Sequence, residues 1–166
     1  QYRPNNDAVI FFISQIFPRI KKFEQEAILY IVGNEPSNKI KNFNSDSIKI
    51  IGRVPNLTDY ITNATVFVCP LRIGGGVKVK MLEAISCHAA IVTTSIGAQG
   101  LNHLTPKPFI VSDDPTDFAD QVISLLKHPS KICDLKRSTE NTLSQLNTWQ
   151  DSINILKTIY NKLINI

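Results

Sequence analysis

The residues of this chain best suited to chemistry are Gly74, Gly75 and Gly76, followed closely by Lys78, Lys80 and Glu83. Glycines lack a Cβ, so the backbone can turn sharply there and approach a ligand closely. The run 65–69 before them reads as a buried strand, and the run 77–88 after them as an apolar helix. A glycine bend that opens a helix points unpaired amides outward, where they favour negative charge. Lys78 and Lys80 place positive charge in that first turn, against the helix dipole, a local cost that an anion would offset. The order describes a pocket for a phosphorylated ligand. It also describes an ordinary strand-to-helix turn, with Lys80 and Glu83 as a surface pair of about 0.2–0.5 kcal/mol. Neither the P-loop pattern Gly-x-x-x-x-Gly-Lys-Ser/Thr nor the dinucleotide fingerprint Gly-x-Gly-x-x-Gly occurs.

The elements that must position these residues follow from the apolar pattern. Asn5, Asn6 and Asp7 offer N-caps for a helix over residues 6–24, which Pro18 should kink. Strands are expected at 27–32, 47–51, 65–69, 90–94 and 108–111, with short helices near 36–43 and 56–64 between them. Asp113, Asp114 and Pro115 open a helix to about Lys127, and helices at 129–146 and 149–164 close the chain. Apolar strands alternating with helices call for a parallel sheet covered on both faces, a Rossmann-like doubly wound α/β fold. Ligands of such sheets sit beyond the carboxyl ends of the strands. Four loops meet on that rim: 33–36, 52–55, 71–78 and 94–100. Glycines stand in all four, which favours the phosphate pocket over the plain turn.

A chain of 166 residues, 43% apolar and 19% charged, suits one soluble domain with a full core. No apolar run reaches the length of a membrane span, and no signal-peptide layout opens the sequence. The net charge of +4 suits anionic ligands or a membrane surface, and no interleaving of basic and aromatic residues suggests nucleic acid. Cys69, Cys87 and Cys133 are odd in number and widely spaced, as reduced thiols would be, with Cys69 and Cys87 as small buried apolar groups. His88, His103 and His128 lack metal-ligand spacing and fit surface or helix-end positions. Met81 is the only methionine and Gln1 the first residue, so a domain excised from a longer protein is expected.

Several segments, in order, resemble the landmarks of one family. They are Pro4-Asn5-x-Asp7-Ala8-Val9, Ile31-Val32-Gly33, Ile51-Gly52-x-Val54 and Ala64-x-Val66-Phe67-Val68-x-Pro70. Gly74-Gly75-Gly76-x-Lys78-x-Lys80-x-Leu82-Glu83-Ala84 and Ile91-Val92-x-Thr94-x-x-Gly97-Ala98-x-Gly100-Leu101 follow, with Trp149 near the start of the last helix. The chain resembles the C-terminal, donor-binding half of a group 1 (family 4) retaining glycosyltransferase of GT-B architecture. The resemblance covers nearly the whole chain, and its Lys-x-Leu-Glu-Ala core is the most specific part.

What the resemblance implies is transfer of a sugar from a nucleotide diphosphate sugar to an acceptor with retained anomeric configuration. Glu83 would accept hydrogen bonds from the ribose hydroxyls, and Lys78 would hold the diphosphate; these two are the candidate catalytic residues. Donor binding would also involve Gly33, Arg53, Val54, Gly74, Gly75, Gly76, Val77, Lys80 and Leu82, with Arg53 and Val54 beside the base. No metal or other cofactor is implied, and the sequence holds no Asp-x-Asp motif. The acceptor, a saccharide or lipid-linked saccharide, would come through an N-terminal domain that these residues do not include, so this domain alone is expected to transfer nothing. Bacterial-type polysaccharide synthesis in the cytoplasm, with peripheral association of the full-length protein at the inner membrane face, fits the same picture. One departure stands out: the family carries an earlier glutamate in this motif where the present chain has Gly75. A GT-B-like nucleotide-sugar epimerase would use the same pocket, though the carboxylate and histidine set it needs is not identifiable. A non-catalytic nucleotide-binding module would explain Gly75 as degeneration.

Overall fold

The computed structural model describes residues 2–146 and 148–164, without the side chain of Trp149. The chain opens with α1 (Arg3–Phe11), a π-helical turn (Phe12–Ile16) and α2 (Phe17–Phe23). The kink expected at Pro18 takes the form of that wide turn. Proline near the start of a helix lacks an N–H and crowds the preceding carbonyls, and a π turn makes room for it. The Phe17 amide accordingly reaches back to the Phe12 carbonyl.

Alternation then follows: β1 (Leu29–Val32), α3 (Asn38–Lys41), β2 (Ile48–Gly52), α4 (Leu57–Asn63), β3 (Phe67–Cys69) and α5 (Val79–Ser86). After these come β4 (Ile91–Thr93), β5 (Phe109–Val111), α6 (Pro115–Lys127), α7 (Pro129–Leu143) and α8 (Trp149–Ile164). Each expected strand and helix is present, most of them shorter by one or two residues at an end. Side-chain caps set four helix starts among the described residues: Ser37 for α3, Asn56 for α4, Asp114 for α6, where Asp114 accepts from the Thr116 and Asp117 amides, and Thr148 for α8, where Thr148 Oγ1 accepts from the Asp151 amide.

All strand pairs are parallel, β1 with β2 and β3 with β4 with β5. They do not form one continuous ladder: a two-stranded sheet β1-β2 and a three-stranded sheet β3-β4-β5 stand separate. Side chains alternate between two apolar clusters, as strand geometry requires. Phe67, Ile91 and Phe109 face one cluster with Met81, Ala84 and Ile85 of α5. Val66, Val68, Val92 and Ile110 face the other, with Phe12, Ile16, Ile20 and, from α6, Phe118 and Val122. Helices on both faces of parallel strands make this a Rossmann-like α/β fold. The strands of the larger sheet are the better buried; Tyr30 of β1 stays 55% exposed. At the far end, α8 leaves Ile155, Leu156, Ile159 and Tyr160 exposed.

Candidate functional site

The triglycine segment leaves the carboxyl end of β3 and reaches α5 across the rim. Gly74 and Gly76 have φ of +122° and +71°, values that side chains disfavour, so these two glycines give the bend its shape. A Cβ on Gly75 or Gly76 would meet no atom within 4 Å, and one on Gly74 would meet only Lys78 Cε and Pro4 Cβ near that limit.

Helix α5 begins at Val79, two residues after the expected start at Val77, with Lys78 as an N-cap that supplies no side-chain cap. The Lys78 carbonyl accepts from the Met81 and Leu82 amides. The Val79 and Lys80 amides in front of them are of the kind that a helix leaves unpaired at its amino end. Lys78 is half-buried and donates to the Gly76 carbonyl at 2.6 Å, which holds its ammonium against the bend. Glu83 is exposed one turn further along, while Leu82 is half-buried and Val77 exposed.

Lys80 differs from the expected solvated or Glu83-paired side chain. It is half-buried, and its ammonium donates to Asn5 Oδ1 at 2.6 Å, across 75 residues of sequence. Burial lowers its pKa, and Lys78 pushes the same way, while Cys69 and Glu83 oppose them. Cys69 is buried beneath the site, and desolvation raises its pKa. The other cysteines are less enclosed: Cys87 is half-buried, not buried as expected, and Cys133 is exposed.

Two tie points at this rim were not legible in the sequence. Arg72 forms a two-pronged ion pair with Asp7 of α1, at 2.6 and 3.0 Å, and its guanidinium lies 4.3 Å from the centre of the Phe11 ring. The Arg72 hydrogen bond is the main cause lowering the Asp7 pKa; burial opposes it, and the charges of Arg72 and Arg3 add to it. Together, Asp7–Arg72 and Asn5–Lys80 fasten the start of α1 to both flanks of the triglycine bend.

The 94–100 loop forms the other wall. Thr93 Oγ1 donates to the Cys69 carbonyl at 3.0 Å, and Thr94 Oγ1 donates to the Leu71 carbonyl. Gly97 fits tightly there: a Cβ would fall 2.0 Å from Thr93 Oγ1 and 2.9 Å from the Cys69 carbonyl oxygen. Gly100 lies against Val77, leaving no space for a Cβ. Asp113 accepts from the Ser95 amide at 2.8 Å, linking this loop to the one before α6. Gly33 and Arg53 are exposed and Val54 is half-buried; they follow β1 and β2, on the carboxyl rim of the smaller sheet. The Gly33 amide donates to the Gly52 carbonyl at 2.9 Å, which joins those two loops. The structure therefore gathers 71–83 and 94–100 into one site and holds Gly33, Arg53 and Val54 on a separate sheet edge. Among the described residues, no three His, Cys, Asp or Glu side chains are grouped as a metal would need.

Comparison with known proteins agrees with this architecture. Residues 1–128 match the family model described as "Glycosyl transferases group 1". A protein of Klebsiella pneumoniae, described as an uncharacterized 44.6 kDa protein in the cps region, is 25% identical over 169 aligned positions. The alignment takes in 96% of this chain and 43% of that protein, so the chain spans less than half the length of its relative.

Proposed function

This chain belongs to the group 1 glycosyltransferase family, and we propose that it is the donor-binding domain of an enzyme that takes its sugar from a nucleotide diphosphate sugar. The observation that carries this reading is the triglycine bend, where a Cβ on Gly75 or Gly76 would meet no atom within 4 Å, leading into an amino end of α5 without a side-chain cap, with Lys78 against the bend and Glu83 exposed one turn on. In this proposal the amides of the bend and of Val79 and Lys80 receive the diphosphate, and Lys78 swings from the Gly76 carbonyl to a phosphate oxygen. Glu83 accepts hydrogen bonds from the two ribose hydroxyls, which a carboxylate can do with both oxygens. Arg53 and Val54 border the base, and Gly33 borders the cleft.

Departure of the nucleoside diphosphate leaves an oxocarbenium-like sugar, so stabilising charge on the leaving group is the dominant task. Amides fixed in the bend perform it without reorganising. The acceptor then attacks from the face the diphosphate has left, which retains the anomeric configuration. No cofactor or metal is assigned to this step, consistent with the lack of an Asp-x-Asp motif in the sequence. Acceptor positioning belongs to a further domain of the longer protein, and the acceptor is a saccharide or lipid-linked saccharide. The cps-region relative is consistent with polysaccharide synthesis. None of the described helices is long and apolar enough to cross a membrane, and the proposed location is the cytoplasm or the inner membrane face.

In the full-length protein, Lys78→Ala and Glu83→Gln should each lower turnover of the preferred sugar nucleotide by about tenfold or more, equivalent to about 1.4 kcal/mol. The screen begins with UDP, GDP and ADP sugars. Unchanged turnover in both variants would remove these residues from the reaction.

A further inference from the structure

Two side chains from the start of α1 reach the flanks of the triglycine bend, and they treat its cations differently. Asp7 meets the Arg72 guanidinium with both carboxylate oxygens, so that pair is neutral overall. Asn5 meets the Lys80 ammonium with a single amide oxygen at 2.6 Å, so the charge of Lys80 stays whole. Among the described residues, no carboxylate comes within ion-pair distance of Lys80, Glu83 of the same helix included. An ammonium carries three donors, and Asn5 Oδ1 is the one acceptor for Lys80 among the described residues. This arrangement costs stability twice. Lys80 lies in the first turn of α5, where a cation opposes the helix dipole, and its half-buried position disfavours charge. An aspartate in place of Asn5 would relieve both through the same contact. It would also favour α1, whose first turn holds no acidic residue. The residue present is the neutral amide of the same shape, and stability is commonly forgone in this way where a site needs the strained arrangement.

We propose that Asn5 is a positioning residue for the donor diphosphate: its amide oxygen holds the Lys80 ammonium beside the bend and leaves the charge unneutralised for the phosphates. This rests on the donor-site reading above. Asn5 touches no reacting atom and acts through Lys80. The contact lies at the bend itself, since Pro4 Cβ, next to Asn5 in the chain, is 4.0 Å from where a Cβ on Gly74 would stand. Lys78 has a different anchor, the Gly76 carbonyl two residues away, so it moves with the loop that holds it. Lys80 is anchored to a separate helix, which fixes its ammonium relative to that loop. Arg72, neutralised by Asp7 and lying over the Phe11 ring, braces the bend and offers the ligand no net charge. One helix end thus supplies a neutralising tie and a charge-sparing one, and only the second suits an anionic ligand.

Asn5→Asp in the full-length protein tests this, because it keeps the side-chain shape and neutralises Lys80. Magnetic-resonance titration of the Lys80 ammonium should show its pKa raised by the new carboxylate; an unmoved value would overturn the contact on which the proposal stands. The variant should melt at or above the parent temperature, and a lower one would overturn the proposal, because Lys80 would then not be a charge in want of a partner. It should nonetheless bind the preferred one of UDP, GDP and ADP at least about tenfold more weakly. The corresponding nucleoside, which brings no phosphate, should bind parent and variant alike. Equal diphosphate affinity in the two proteins would overturn the positioning role and leave the donor site standing. Equal losses for diphosphate and nucleoside would overturn it as well, by making the effect a distortion of the fold. A parent that binds none of the three diphosphates would remove the donor site itself, and this proposal with it.

Discussion

Gly75 and Gly76 separate backbone strain from ligand access. Gly76 has φ of +71°, so Gly76→Ala should destabilise the fold by about 1–2 kcal/mol. Gly75 has no such constraint and no neighbour within 4 Å of a Cβ, so Gly75→Ala should fold as stably as the parent. In the proposed site that new methyl stands where the diphosphate approaches. Gly75→Ala should therefore weaken nucleoside diphosphate binding by about tenfold while leaving the melting temperature unchanged; equal affinity would mean that no ligand comes close to this bend. Lys80 tests a different trade. Burial holds its pKa below the ordinary lysine value, so its charge costs stability at neutral pH. The cost diminishes as pH rises from the folded value toward the unfolded value of about 10.4. Lys80→Met should match or exceed the parent in denaturant stability at pH 7, yet bind nucleoside diphosphate more weakly. A large loss of stability would show that the Asn5 hydrogen bond outweighs the desolvation.

The ties between elements carry their own pH signature. Asp7 is held below the usual carboxylate range by Arg72, so the pair stabilises the fold above the unfolded value of about 3.9. That contribution is lost as pH falls through the lower folded value. Both partners are partly solvated, 29% and 49% exposed, which limits the pair to about 1 kcal/mol. Asp7→Asn should lower stability by that amount at pH 7, with the difference fading well below pH 4 in parallel urea titrations. A difference that persists in acid would assign the effect to packing against Phe11. Nearly every element was legible in the sequence, because continuous apolar strands, Pro18, Asp114 and the glycine bend each act locally. What was not legible depends on partners far apart in the chain. Arg72 finds Asp7 and Lys80 finds Asn5 across 65 and 75 residues. Periodicity likewise marks β1 and β3 as strands without saying that they fail to pair. The π turn was anticipated only as a kink, since Pro18 dictates a break but not its form.

At the scale of the whole molecule, the larger sheet carries a well-formed rim and the smaller sheet holds Gly33, Arg53 and Val54 beside it. In the proposed reading a nucleotide reaches both, since glycines stand at the carboxyl end of β2 and in the loops after β1, β3 and β4. In the proposed site, the bend at residues 74–76 and the start of α5 cradle a diphosphate. Amide chemical shifts of the full-length protein, followed while UDP, GDP and ADP are added in turn, test it most directly. With at least one nucleotide, saturable shifts should centre on the amides of Gly74, Gly75, Gly76, Val79 and Lys80. If all three nucleotides leave those amides unmoved up to about millimolar concentration, the range typical of weak substrates, the diphosphate site is not there.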